Sequence, residues 1–277
     1  MTKELCLVHA NCQGEPLIER LRLCPEFEAR YHCALVTNYT REPVPGDRLS
    51  RCSLFLYQHL GPKWGGLASA SLLDRLPADA RSLCIPNMFF KGYWPTWSGA
   101  AGFDYRCTLL DELADSDLPD EEATLIYLHT DMAAKFDLLT MITETLGREQ
   151  DRESHTPVKY LDVIRGEYRA EQLFNTVNHP RARLMNHAAE GVLDALGFTS
   201  PGREAMGALG EPFPEFEQPV NPKVAAHFGW DFAGPDRRYR VYGRDMSFAR
   251  WVANYVFARR AGITDFIGFL QGDDIAI

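Results

Sequence analysis

Polar and nucleophilic side chains follow each of four short apolar runs in the first third of the chain. They are Asn11-Cys12-Gln13-Gly14 after the first run, Thr37-Asn38-Tyr39 after the second, Gln58-His59 after the third and Pro86-Asn87 after the fourth. If the runs are strands of one parallel sheet, their carboxyl ends lie at the edge where open α/β sheets bind ligands. The pattern predicts a site of amides, an imidazole and a thiol, although connecting loops are polar in any globular protein.

Cys12 is the residue of this set with the most distinctive chemistry. It is predicted to lie between a strand and a helix N-terminus, where backbone N–H groups and the helix dipole favour a thiolate. Gly14 permits a tight turn, and the backbone amides of Gln13 and Gly14 could hold an oxyanion. The alternative is a small thiol without a chemical role, as expected for Cys6 on the preceding strand.

His179 is the second candidate, because Asn178-His179-Pro180 places an imidazole at the predicted start of a helix. The positive end of a helix disfavours an imidazolium, so the ring should be neutral near pH 7 and able to accept a proton. With Cys12 it would supply a nucleophile and a general base for acyl transfer, provided that the two meet within about 3 Å. The alternative is a ring that packs at a helix entry.

One glutamine, one histidine and an aromatic loop could take part in the same chemistry. The Gln58 amide could donate to an oxyanion, and His59 is an alternative base. Both could instead make ordinary loop hydrogen bonds. The segment 87–97 is rich in aromatic residues and contains Lys91, so it could stack on a flat ring and pair with a phosphate, or it could cover a core.

Strands and helices alternate in the part of the chain that must position these groups, which is typical of βαβ units and a mostly parallel sheet. Strands are predicted over 5–10, 31–36, 53–57 and 82–85, with helices over 16–23, 67–76, 121–146, 159–174, 179–196 and from the cap Ser247 to Gly262. Residues 198–222 are predicted to be an irregular connector. We expect an α/β part over 1–110 and a largely helical part over 111–277 packed on it, forming one compact unit.

Two segments of opposite charge stand out in the second half. Asp111–Glu122 carries seven acidic residues and no basic one. Seven arginines lie in the last segment: 237, 238, 240, 244, 250, 259 and 260. The arginines could meet phosphates, an anionic membrane face or an acidic protein, but we favour a solvated face paired with the acidic helices.

Composition excludes several classes of protein. The 277 residues are 45% hydrophobic with 16 Phe, 11 Tyr and 5 Trp, which excludes disorder of the whole chain. With 29 basic and 38 acidic residues the net charge is −9, which argues against nucleic acid as the main partner. No apolar run approaches a membrane span, and no secretory signal is apparent. Seven cysteines without a C-x-x-C pair favour free thiols in a reducing cytoplasm and no zinc site.

Several segments, in chain order, resemble those of one family. They are Asn11-Cys12-Gln13-Gly14, Phe55-Leu56-Tyr57-Gln58, Ile85-Pro86-Asn87-Met88-Phe89-Phe90-Lys91-Gly92-Tyr93-Trp94-Pro95, Leu173-Phe174-Asn175-Thr176-Val177-Asn178-His179-Pro180 and Pro219-Val220-Asn221-Pro222, followed by a last helix with Tyr255. Over nearly its whole length the chain resembles the WcbI-type polysaccharide biosynthesis family, which is similar to capsule O-acetyltransferases that bind coenzyme A. The aromatic loop and the Asn-His-Pro motif are the most specific parts of this resemblance.

The family is distantly similar to SGNH hydrolases, so the resemblance implies an SGNH-like open parallel sheet. In that fold a nucleophile follows the first strand, an amide donor follows the third and a His opens the last helix; Cys12, Gln58 and His179 would take these places. The acidic residue that usually lies three positions before the His is replaced by Thr176. The candidates for the missing orienting group are Glu149, Glu153, Asp162 and Asn175.

The resemblance implies a cytoplasmic O-acetyltransferase that uses acetyl-coenzyme A as donor and a sugar hydroxyl of a capsular or exopolysaccharide precursor as acceptor. His179 would activate the Cys12 thiol or the acceptor hydroxyl, and Gln58 with the backbone amides of 12–14 would hold the oxyanion. The residues expected to bind the coenzyme are Gln13, Gly14, His59, Lys63, Lys91, Tyr93, Trp94 and Arg181.

Two other classes of function stay open at this point. A thioesterase or carbohydrate esterase would use the same groups with water as the acceptor. A non-catalytic assembly protein would bind coenzyme A or a glycan without turning it over. The partners expected in every case are small molecules and sugars, with no metal and no nucleic acid; peripheral association with a membrane is left open.

Overall fold

The four predicted strands form one parallel sheet in the computed structural model, which describes residues 2–272. They are β1 (Glu4–Ala10), β2 (Tyr31–Thr37), β3 (Cys52–Tyr57) and β4 (Arg81–Cys84), in the spatial order β2-β1-β3-β4. Leu7 and Val8 of β1 and Leu56 of β3 are fully buried, because these apolar runs are covered on both faces of the sheet. This parallel sheet and its many helices confirm the predicted α/β fold class.

Helices make up most of the remaining regular structure. They are α1 (Gly14–Leu21), α2 (Pro25–Arg30), α3 (Gly46–Ser50), α4 (Ser69–Leu73), α5 (Thr108–Ala114), α6 (Asp120–His129), α7 (Met132–Lys135), α8 (Leu138–Glu153), α9 (Leu161–Glu167), α10 (Ala182–Leu196), α11 (Arg203–Ala208), α12 (Pro222–Phe228), α13 (Phe248–Arg260) and α14 (Phe266–Gln271). Short 3₁₀ segments lie at Asn38–Thr40, Pro62–Leu67 and Asp231–Ala233, and short strands are β5 (Phe174–Thr176), β6 (His179–Pro180), β7 (Arg238–Val241) and β8 (Arg244–Ser247). Within residues 2–272, no helix combines the length and apolar character that crossing a bilayer requires.

The helix predicted over 121–146 is wrong as a single element. The first helix ends after α6. There the Asp131 side chain accepts hydrogen bonds from the backbone N–H groups of Ala133 and Ala134, and α7 begins. A second interruption precedes α8, where the Asp137 side chain accepts a hydrogen bond from Thr140 N. Each aspartate satisfies N–H groups that a continuous helix would have bonded internally, so the apolar spacing continues while the helix restarts.

The chain divides into two compact units, and neither is a continuous segment. The first contains the residues up to Phe89, Leu146–Tyr168 and Asn178–Pro212; the second contains Phe90–Thr145, Arg169–Val177 and the residues from Phe213 onward. The boundary expected near residue 110 lies inside the second unit. The two units differ from the expected parts because residues 146–168 and 178–212 belong to the first unit. Cys12, Gln58 and His179 therefore belong to one unit.

The first unit is built around the parallel sheet. Leu7 of β1 and Phe55 of β3 pack with Leu49 of α3 and Leu72 of α4, so these two short helices cover one side of the sheet. Helix α1 packs against α10, as well as against β1 and β2. The entry to α1 is tight: a Cβ on Gly14 would lie 2.6 Å from Leu35 Cδ1 and 3.0 Å from Ala10 Cβ, so a larger residue here would require the Leu35 side chain to shift.

In the second unit, α13 packs against α5 and α6 and pairs its basic residues with their acidic ones. Arg259 Nε lies 3.0 Å from Asp111 Oδ1, and Arg259 Nη2 lies 3.2 Å from Asp115 Oδ1. Arg260 Nη1 lies 2.7 Å from Asp120 Oδ1. The predicted pairing of the acidic and basic segments is confirmed for these arginines. The predicted cap of the last helix is also confirmed, since Ser247 Oγ accepts from Arg250 N.

Candidate active site

The order of the strands brings the loops after β1 and β3 together at the carboxyl edge of the sheet. Strand β2 lies on one side of β1, and strands β3 and β4 lie on the other side. In such sheets the place where the strand order reverses leaves a crevice at the carboxyl edge. The loop with Cys12 follows β1 and Gln58 follows β3, so both lie at this crevice.

The Gln58 side chain is fully buried and connects the loops that follow all four strands. Its Oε1 accepts from Asn11 N at 2.8 Å and from Asn38 Nδ2 at 3.4 Å. Its Nε2 donates to Asn11 Oδ1 at 3.2 Å and to Pro86 O at 3.0 Å. Both amide hydrogens are therefore engaged inside the protein, and Gln58 positions the loops in this arrangement. Its expected donation to an oxyanion stays a prediction.

Gln13 is nearly fully buried and connects the first loop to two later segments. Its Oε1 accepts from Met88 N at 3.1 Å, and its Nε2 donates to Met88 O at 2.7 Å. The same Nε2 donates to Asn178 O at 3.0 Å. The Gln13 side chain thus fixes the segment that leads into His179 against the loop after β1.

The Cys12 thiol lies against Asn178, the residue that precedes His179. Asn178 Nδ2 is 3.6 Å from Cys12 Sγ, and Asn178 O is 4.0 Å from it. The contact brings the two residues singled out for nucleophile and base into the same part of the first unit, although they are distant in sequence.

The backbone amides expected to hold an oxyanion already have partners in this structure. Gln13 N donates to Asn11 Oδ1 at 2.9 Å, and Gly14 N donates to Asn11 O at 2.9 Å. These bonds build the turn between β1 and α1. The Asn178 side chain is a further amide beside the sulfur that sequence analysis did not single out; its place in the Asn-His-Pro motif was the available indication.

His179 is half-buried in β6, and burial lowers its pKa to about 4. The ring is therefore neutral at pH 7, as expected, but the expected cause is wrong. Helix α10 begins at Ala182, with Arg181 as its cap, so His179 lies outside the helix. The low pKa results from the cost of burying an imidazolium rather than from a helix dipole.

Among the candidate carboxylates, Glu149 is the buried one. Its Oε2 accepts from Phe89 N at 3.0 Å and from Tyr160 OH at 3.3 Å, and its Oε1 lies 3.0 Å from Arg152 Nε. These partners favour the charged form, but the loss of water is the larger effect and raises the pKa of Glu149 to about 8.

The other candidates for an orienting group have structural partners. Glu153 Oε1 accepts from the N–H groups that begin α9, at 2.6 and 2.7 Å. Asp162 is exposed and lies 3.7 Å from Arg165. In the second unit, Asn175 Nδ2 donates to Phe213 O at 2.8 Å, and Thr176 is buried.

The residues expected to bind the coenzyme fall into both units. In the first, His59 is exposed and stacks on His155 with ring centroids 3.7 Å apart, and Lys63 is exposed. Arg181 Nε lies 3.4 Å from Glu211 Oε2.

In the second unit, Tyr93 and Trp94 are buried, which leaves neither ring face exposed to a ligand. Tyr93 OH donates to Glu171 O at 3.0 Å, and Trp94 Nε1 donates to Pro219 O at 3.0 Å. Lys91, in the same loop, is half-buried.

Cys12 differs from the other cysteines in its exposure. All seven are free thiols, and six of them are buried, whereas Cys12 is half-buried. The buried thiol of Cys84 has its pKa raised to about 11 by burial, which suppresses the thiolate. Across residues 2–272, no group of three or more His, Cys, Asp or Glu side chains is placed to hold a metal ion. A soluble reagent would thus reach Cys12 before the buried thiols.

We expect Gln58→Leu to lower the free energy of unfolding by about 2–4 kcal/mol, because it leaves Asn11 N, Asn11 Oδ1 and Pro86 O without their partner. Urea unfolding followed by circular dichroism measures this. The matched control is Gln150→Leu, which changes an exposed glutamine on α8 and should have little effect. Equal stability of the two variants would show that the Gln58 network does not hold the loops together.

Comparison with known proteins shows the family of the chain. The model of a family described as polysaccharide biosynthesis enzyme WcbI matches residues 5–201, which is more than half of the chain. A solved structure of WcbI, a novel polysaccharide biosynthesis enzyme, aligns with a TM-score of 0.77 at 20% identity and covers 99% of this chain and 96% of that chain. That structure is described as the native protein without a disulfide bond between coenzyme A and a cysteine. A search among curated proteins found no match. The chain belongs to the WcbI family of polysaccharide biosynthesis enzymes.

Proposed function

We propose that this protein is a coenzyme A-dependent O-acetyltransferase that modifies a sugar hydroxyl during polysaccharide synthesis. The observation that carries the proposal is the contact of the Cys12 thiol with Asn178, the residue that directly precedes His179 in the chain. A nucleophilic sulfur and a proton acceptor at the carboxyl edge of a parallel sheet are the groups that acyl transfer needs.

Acetyl-coenzyme A would supply the thioester from which the acetyl group is taken. His179 accepts the thiol proton of Cys12, and the resulting sulfur nucleophile takes the acetyl group as the coenzyme thiol leaves with that proton. His179 then accepts the proton of the sugar hydroxyl as its oxygen takes the acetyl group, and the proton returns to Cys12. Direct transfer, in which His179 activates the sugar hydroxyl and Cys12 only assists, would use the same residues.

The oxyanion formed at each step needs a donor beside the sulfur. The Asn178 side chain is suitable, because its Nδ2 lies 3.6 Å from Cys12 Sγ. The amides of Gln13 and Gly14 would serve only if they gave up their bonds to Asn11. We therefore assign Gln58 and Gln13 to positioning, and Asn178 to contact with the substrate.

The family and its solved relative support the choice of reaction. Membership of a polysaccharide biosynthesis family indicates a sugar as the second substrate. The description of the solved WcbI names coenzyme A together with a cysteine, which fits a cysteine close to the coenzyme thiol. The free thiols of this chain are consistent with an enzyme that acts in the reducing cytoplasm, where it would modify sugar precursors.

The test is an assay of coenzyme A release from acetyl-coenzyme A, with and without an unacetylated polysaccharide fragment. We expect release to depend on the fragment, and the fragment to gain acetyl groups detected by mass spectrometry. Release at the same rate without the fragment would indicate that water is the acceptor, and the protein would then be a thioesterase. Binding of coenzyme A without release from the thioester would reject catalysis.

A further inference from the structure

A cleft of about 180 Å³ in the first unit takes no part in the steps of acetyl transfer proposed above. Its walls come from segment 84–87 at the end of β4, from His59 after β3, and from Asp151, Arg152 and His155 at and beyond the end of α8. The cleft therefore borders the carboxyl ends of two parallel strands, where ligands bind. It is smaller than the about 300–1,000 Å³ typical of sites for drug-sized ligands, so it suits a single small ring.

Two hydrogen bonds hold the wall formed by α8 against the segment that follows β4. Thr156 Oγ1 donates to Cys84 O at 2.8 Å, and Phe89 N donates to Glu149 Oε2 at 3.0 Å. Thr156 and Glu149 are buried, so both bonds lie in surroundings that strengthen them. Along each chain segment the two bonds flank the residues of the cleft. The cleft is therefore preformed, which reduces the cost of ordering the protein when a ligand binds.

The cleft adjoins the loop that contains Cys12. Asn87 lines the cleft, and its Oδ1 accepts a hydrogen bond from Asn11 Nδ2 at 3.1 Å. Asn11 directly precedes Cys12 in the chain. One pair of amide side chains thus connects the wall of the cleft to the thiol loop. A molecule held in the cleft is therefore close to the loop from which the acetyl group would be transferred.

Two stacked imidazole rings form the aromatic part of the lining. The ring centroids of His59 and His155 are 3.7 Å apart, and the ring planes differ by 14°. Both residues are exposed, so the stack leaves ring surface that a ligand can reach. Burial and the neighbouring His155 lower the pKa of His59, since two imidazolium rings in contact would repel each other. The electron-rich face of an uncharged ring favours contact with the C–H groups of a sugar.

The polar part of the lining combines hydrogen-bond donors and acceptors. The Asn87 amide offers both, the Arg152 guanidinium donates and the Asp151 carboxylate accepts. Arg152 Nε lies 3.0 Å from Glu149 Oε1, whereas Asp151 has no ion-pair partner among residues 2–272. A phosphate or carboxylate in the cleft would therefore meet a negative charge that no cation neutralises. Neighbouring hydroxyl groups match this lining better, because each one both donates and accepts.

We propose that this cleft binds the acceptor through one uncharged sugar unit, with its hydroxyl groups on Asp151, Arg152 and Asn87 and its C–H groups against the stacked histidines. This inference rests on the proposed function, because it takes a sugar as the second substrate. It adds a place for the acceptor and a preference for neutral sugar units over acidic ones. The phosphates of coenzyme A are disfavoured here by the same carboxylate, so the two substrates do not compete for the cleft.

The test measures binding of the methyl glycosides of glucose, galactose and mannose to the full chain by saturation-transfer NMR, with methyl glucuronide as the acidic counterpart. We expect a neutral glycoside to bind more tightly than the glucuronide. Asp151→Asn should weaken binding of the neutral glycoside about tenfold, since it removes a charge-assisted hydrogen bond. The same variant should strengthen binding of the glucuronide, because the repelling charge is gone. His155→Ala should weaken binding of the neutral glycoside about threefold.

The matched controls are Asp162→Asn on α9 and His32→Ala on β2, both exposed and outside the lining, and they should bind as the wild type does. Thermal melts establish that the variants are folded. Three results would overturn the assignment: no binding of any neutral glycoside, unchanged binding in both Asp151→Asn and His155→Ala, or a loss of coenzyme A binding in these two variants.

The binding measurements do not depend on acetyl transfer, so the assignment of the cleft can fail while the proposed function stands. Conversely, glycoside binding that depends on Asp151 and His155, without any transfer of an acetyl group, would retain the cleft and reject the proposed reaction.

Discussion

Replacing Cys12 with alanine should lower acetyl transfer by about 10³-fold or more, because the variant lacks the sulfur that takes the acetyl group. The thiol is half-buried and lies 3.6 Å from the Asn178 amide, so the substitution removes few packing contacts. Incubation with acetyl-coenzyme A followed by intact-mass measurement should give an adduct of about 42 Da on the wild type and none on Cys12→Ala.

The matched control for this variant is Cys84→Ala. Cys84 is buried, and its raised pKa of about 11 keeps its thiol protonated near pH 7. The control should therefore retain both the adduct and the transfer rate. An adduct that persists in Cys12→Ala, or normal transfer without it, would remove Cys12 from the mechanism.

Replacing His179 with glutamine should lower the rate of acetyl transfer by about 10²–10⁴-fold, the usual contribution of a general base. The affinity for coenzyme A should change little, because the proposed role of the ring is to move a proton. Steady-state kinetics together with calorimetric binding of coenzyme A separate the two effects. His32→Gln, which changes an exposed histidine on β2, is the matched control and should keep both values. A loss of rate in His59→Gln but not in His179→Gln would move the base to His59.

The low pKa of His179 also gives the pH dependence a defined direction. Because its pKa is about 4, the ring keeps its proton-accepting form down to about pH 5, and transfer should decline only as the pH approaches 4. Below the ordinary pKa of 6.5, the unfolded chain binds a proton that the folded chain does not, so stability falls between pH 6.5 and 4. Buried His9, whose pKa is also lowered to about 4, adds to the same trend. A rate that halves near pH 6.5 would contradict the burial of His179.

The strand positions and the location of Cys12 could be predicted because they depend on local pattern. The apolar runs of β1 and β3 are bounded by polar residues, and their ends lie within one residue of the predicted ones. A parallel sheet then requires that the residues after each strand meet at one edge. The meeting of Cys12 with the Asn178–His179 segment could not be derived this way, because it depends on a long return of the chain to the first unit.

The β7–β8 hairpin shows where local pattern was insufficient. Its turn contains Tyr242 and Gly243, with positive φ values of 48° and 81°. A tyrosine in the left-handed region is uncommon, so the turn lacks the Asn-Gly or Asp-Gly pair by which such hairpins are usually recognised. The burial of Tyr93 and Trp94 was unpredictable for a related reason, since an aromatic loop has the same composition whether it binds a ligand or fills a core.

The side-chain bonds of Gln58 have a consequence for the evolution of the family. Gln58 Nε2 donates to Asn11 Oδ1 and Gln58 Oε1 accepts from Asn38 Nδ2, so a change of any one of these three side chains leaves another without its partner. We therefore expect substitutions at positions 11, 38 and 58 to covary among relatives. A lineage that loses one amide should acquire a compensating residue at another.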